Sequence, residues 1–193
     1  MRAVRYSGAA IAAGILVVAA VATVAAARTE RIATDSTTIH LDVATPAGGA
    51  PALGVHLIVG TDAAPLLVVD GLLPDATGAG RVIAYRGEPV VSALALDPAL
   101  QAGSVVASFT GPDGTPHVLR ADVRASGAVE AWTDGPYAPD LDGTVAALRA
   151  CGVRAVHADA SVSLDGLPVD LFTPAVSTAD LVARSCSTVA IRR

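Results

Sequence analysis

Two histidine–aspartate spacings are the residues best suited to chemistry. His40 and Asp42 stand two apart, and so do His157 and Asp159. Side chains two apart share one face of a strand. Were the two strands neighbours, imidazoles and carboxylates would converge into a donor set fit for a divalent metal or for proton transfer. The same spacing also arises on the solvated side of any strand whose other side is apolar. Neither spacing is diagnostic of a metal. The sequence therefore assigns no metal and no cofactor, and His40, Asp42, His157 and Asp159 stand as the catalytic candidates.

Cys151 and Cys186 are the two cysteines. An even number outside the cytoplasm favours pairing. One bridge between them would stabilise the fold by about 3–4 kcal/mol in the chain-entropy model. Their spacing is too wide for a CxxC redox motif, and two thiols alone do not make a zinc site. Two buried free thiols are the alternative.

Other signatures fail to form. Asp140-Leu141-Asp142-Gly143 is a fragment of a calcium loop without the remaining ligands, and helix capping by Asp142 accounts for it better. No GxSxG, GxGxxG or P-loop motif occurs. The chain has no lysine, which excludes a Schiff-base or P-loop lysine. A net charge of −5 and 3% aromatics leave neither the basic footprint nor the stacking platform of a nucleic-acid binder. Hydrophobic residues at 52% with 16% charged argue against disorder.

The elements that must position these residues begin with the N-terminus. Arg2 and Arg5 precede residues 8–27, which carry no charge and one hydroxyl, Thr23. Twenty helical residues span roughly the 30 Å hydrocarbon core. The leading arginines favour a cytoplasmic N-terminus and an exported body. Ala25-Ala26-Ala27 also fits a signal-peptidase site, with cleavage after Ala27 and a secreted product. The apolar run exceeds the usual signal core, which favours an uncleaved anchor holding the chain in the membrane through residues 8–27.

Residues 28–53 read as a polar, then Ala/Pro/Gly-rich connector that can hold a first strand, and 54–193 as a single β-rich extracytoplasmic domain. Period-two alternation at 39–43 and 55–59 marks half-buried strands. Short apolar runs at 66–69, 82–85 and 89–96 read likewise. Residues 105–124 form the clearest hairpin, turning at Gly111-Pro112-Asp113-Gly114, with 128–132 as a third strand. Asp165-Gly166 marks a two-residue hairpin turn.

After Trp132 the pattern predicts helices. Val145, Leu148 and Cys151 have helical spacing, Asp142 suits the cap, and Gly152 suits the exit. Ser177 and Asp180 resemble a capping box for a helix over 178–185. The expected fold is α+β: a mainly antiparallel sheet with two helices packed on one face, preceded by the N-terminal helix. The expected function is a membrane-anchored or secreted extracytoplasmic domain that binds an envelope protein or supports an envelope assembly. A small exported hydrolase or metal-dependent enzyme using Asp and His groups is the alternative.

Overall fold

The computed structural model describes residues 28–44, 53–62, 64–74, 80–169 and 176–192. The apolar run at 8–27, the stretch at 45–52 and Phe172 lie outside the described residues. Among the described residues, no helix is long and apolar enough to cross a membrane.

Most described residues are in strands, and no α-helix is present among them. The strands are β1 (Arg28–Ala44), β2 (Leu53–Gly60), β3 (Leu66–Pro74), β4 (Gly80–Gly87), β5 (Val90–Leu96), β6 (Ala102–Thr110), β7 (Pro116–Ala125), β8 (Glu130–Tyr137), β9 (Thr144–Leu164), β10 (Leu167–Pro168) and β11 (Val176–Arg192). Their order is β4-β3-β2-β1-β11-β9-β7-β6-β5, with β8 and β10 pairing β9 off this path. The expected α+β class is thus wrong. Both segments read as helices, 142–150 and 178–185, fall largely in the long strands β9 and β11. β9 runs antiparallel to β7.

The physical reason lies in the burial pattern of those two strands. In β9 the buried positions are 151 and 153, then 156 and 158. In β11 they are 179 and 181, then 186, 188 and 190. The disulfide joins Cys151 to Cys186, and the His157 ring meets Asp180. Six residues separate the two contacts on each strand, so the strands run antiparallel and no residue is inserted between them. The buried side therefore switches from one face of the sheet to the other. In β9 the switch leaves buried residues 153 and 156 three apart, and in β11 it leaves 181 and 186 five apart, so neither strand shows the unbroken period of two that marks a strand in sequence. Val145 and Leu148, which completed the helical triad, are each 55% exposed.

The described chain forms two compact units. Residues 34–134 and 151–186 make one, and residues 28–33, 135–150 and 187–192 the other. β1, β9 and β11 contribute to both.

In the first unit, alternate side chains enter one core. Ile39 and Leu41 come from β1, Leu57 from β2, Leu67 from β3, Leu119 from β7 and Leu181 from β11. Each such aliphatic side chain contributes about 1.5–3 kcal/mol on full burial. Within this unit the sheet curls on itself. β4 and β5 end the strand order on opposite sides, yet only residues 88–89 join them. The rings of Tyr85 on β4 and Phe109 on β6 stand 4.8 Å apart, and Arg81 pairs with Asp113 at 3.6 Å. Gly103 is needed where strands meet across the core: an added Cβ would lie 3.1 Å from Ile39 Cδ1 and 3.2 Å from Leu181.

The hairpins follow the sequence reading. β6 and β7 pair from Ala102↔Arg124 to Thr110↔Pro116 around the turn at 111–115. Asp165 and Gly166 both have positive φ, 53° and 80°, as a type I′ turn demands, and they join β9 to β10.

Candidate functional site

The core-facing residues of β1 are 39, 41 and 43, so His40 and Asp42 project from the opposite, outer face. His56 on β2 lies directly opposite Asp42 in the ladder. Its Nδ1 stands 2.5 Å from Asp42 Oδ1. On β9, residues 156 and 158 face the core, which turns His157 and Asp159 outward. The His157 Nδ1 meets Asp180 Oδ1 of β11. β11 lies between β9 and β1 in the sheet. The outer face therefore carries a row across four adjacent strands: His157, Asp180, His40, then Asp42 with His56.

His40 is the middle of this row. Burial among its neighbours holds its imidazole below the ordinary pKa of 6.5. Asp180 pulls against that shift, Arg184 and His56 add to it, and Asp42 opposes it. The groups facing His40 are thus Asp180 and Arg184 from β11, His56 from β2 and Asp42 from its own strand.

The four candidates share the face their spacing promised, but each of the two pairs divides. Asp42 engages His56 and His157 engages Asp180. Asp159 lies opposite Arg124 in the β7–β9 ladder. His157 and Asp180 line a crevice of only about 40 Å³ with Glu130, close to the volume of one water. Among the described residues, no group of three or more His, Cys, Asp or Glu is placed to hold a metal ion. Among the described residues, no hydroxyl or thiol nucleophile is paired with any imidazole of the row.

A third pair escaped the sequence reading. His117 on β7 is 1% exposed, and its Nδ1 lies 2.7 Å from Asp165 Oδ2. The other carboxylate oxygen accepts the Val118 N–H at 2.9 Å, and the Asp165 N–H donates to the Val118 carbonyl at 2.9 Å. This pair pins the β9–β10 turn onto β7. The sequence signal was the buried parity of residue 117, in step with Leu119, Ala121 and Val123.

An open groove of about 960 Å³ lies on the outer face of β5, β6, β7 and β9. Asp97, Asp122, Asp159 and Arg124 line it, and Ala102 and Ser104 keep its floor low. Among the described residues, β5 ends the strand order and has no partner strand on one side of its backbone. Its sequence, Val90–Leu96, has no charged residue.

The two cysteines are paired: Cys151 and Cys186 form the disulfide between β9 and β11. They pack with Val153 and Val182 in a small cluster, on the side of the sheet opposite the main core. The bridge joins two strands, not two helices.

No family model matches the chain, and neither the curated proteins nor the solved structures contain a match.

Proposed function

We propose that the chain is an extracytoplasmic domain, tethered to the membrane by residues 8–27 or secreted after Ala27, that works by binding an envelope protein. The observation that carries the binding half is the open groove beside β5. An edge strand with an unpaired backbone can accept an added strand, and a neighbouring groove selects side chains. Its three aspartates against one arginine favour an extended segment that carries basic side chains. The disulfide and the uncharged 20-residue run support the exported placement.

The test uses the full chain in cells. A photo-crosslinking side chain in place of Ser161, on the groove, should join the chain to an envelope protein. The same group in place of Thr133, outside the groove, should not. Protease added outside the plasma membrane should reach the domain, and Cys151 and Cys186 should resist alkylation until reduced. A protected domain with two alkylatable thiols would overturn the placement. Equal crosslinking at both positions would overturn the groove.

A further inference from the structure

Charge is divided sharply between the two units. Counted on the sequence from residue 28 onward, the smaller unit holds Arg28, Arg31, Arg149, Arg192 and Arg193 against Glu30, Asp140 and Asp142, a balance of +2. The larger unit holds six arginines against fifteen acids, a balance of −9. The chain is thus acidic as a whole, but the smaller unit, to which residues 28–33 belong, is basic.

The fold gathers that basic charge from both ends of the chain. β1 and β11 are neighbours, and Arg192 Nε lies 2.7 Å from Glu30 Oε2. The start of β1 and the end of β11 therefore stand side by side, and Arg28 and Arg31 share that end of the sheet with Arg192. Ile191 beside them is 39% exposed. The apolar run stops at Ala27, one residue before β1 begins.

We infer that Arg28, Arg31 and Arg192 form a basic collar that docks this unit onto the anionic lipid headgroups of the bilayer holding residues 8–27. This rests on the tethered form of the proposed function. Arginines this close to an anionic surface are attracted to it, and the attraction decays within a screening length. Each contributes roughly a fivefold gain in docking. Glu30 is satisfied by Arg192, which leaves Arg28 and Arg31 as the larger contributors.

The full chain is reconstituted into vesicles of phosphatidylcholine alone, or with added phosphatidylglycerol, each containing a headgroup spin-labelled lipid. Tryptophan reports the distance: Ile191→Trp in a Trp132→Phe background, with the Trp132→Phe chain as the blank. Co-flotation with vesicles reads the tether. The expected result is flotation in both lipids, with weak quenching at position 191 in phosphatidylcholine from the short link to Ala27 and severalfold deeper quenching with phosphatidylglycerol. Raising salt from about 0.1 to about 1 M, which shortens the screening length from about 10 to about 3 Å, should remove the added quenching. Arg28→Gln with Arg31→Gln keeps the Glu30–Arg192 pair and should weaken docking by about 20- to 30-fold. Flotation without lipid-dependent quenching would overturn the collar and leave the tether standing. Failure to float would overturn both.

Discussion

One strand, β11, passes through two very different environments. Near Leu181 it lies in a unit where eight neighbouring strands send side chains into a shared core, and Leu181 is 1% exposed. Ten residues on, Ile191 is 39% exposed. In the smaller unit, Thr188 and Ala190 are the fully buried residues among those described, while Tyr137, Val145 and Leu148 stay 42–55% exposed. The ladder of backbone hydrogen bonds carries the strand beyond its core, but only the core supplies apolar burial. Apolar burial is thus concentrated in the larger unit, and the smaller one carries the basic balance.

The strongest way to break that comparison is to truncate both ends of β11. Leu181→Ala should cost about 2–5 kcal/mol in a denaturant titration of the full chain. Ile191→Ala should cost under about 1 kcal/mol. Equal losses would show that the two environments do not differ in burial.

Removing the bridge probes the place where the buried face switches. Cys151→Ser with Cys186→Ser releases a link across 35 residues and should lower stability by about 2–4 kcal/mol. The same loss should follow addition of a reductant to the unaltered chain. A loss confined to the variant would point to packing of the sulfurs rather than the cross-link.

Asp165→Ala tests the polar pin inside the larger unit. It leaves His117 buried without its carboxylate and strips the turn of its side-chain acceptor, at about 1–3 kcal/mol. Asp165→Asn keeps an acceptor and should retain part of that stability.

The smallest effect concerns pH. His40 has a folded pKa below its ordinary 6.5. The folded state therefore binds that proton less readily than the unfolded chain. The stability this confers is present above pH 6.5 and is lost as the pH falls through the folded pKa. His40→Gln should shallow the acid decline of stability below pH 6.5 and leave the values above it nearly unchanged. An unaltered slope would contradict the lowered folded pKa of His40.

Much of the larger unit was legible in the residues. Alternation at 39–43 and 55–59 named strands and their core faces correctly, and Asp165-Gly166 named its turn. The two cysteines announced their pairing. The two misread helices have separate causes. Val145 and Leu148 lie exposed on β9, so their helical spacing from Cys151 marks no buried face, and Ser177 with Asp180 stands inside β11 rather than at a helix start; the many alanines favour helix intrinsically in both. The His–Asp partners were hidden for a different reason. Local spacing fixes which residues share a face, whereas Asp42–His56 and His157–Asp180 are set by strand order, across 14 and 23 residues of chain.

Hydrogen exchange on the full chain, reconstituted in bilayers with and without anionic lipid, tests the division of labour most directly. Residues 179–186 of β11 should exchange slowly in either lipid, because their protection comes from the core. Residues 187–192 and 28–33 should exchange faster in neutral lipid and slow markedly when anionic lipid is added. Uniform exchange along β11, or protection of 187–192 that ignores the lipid, would contradict the account.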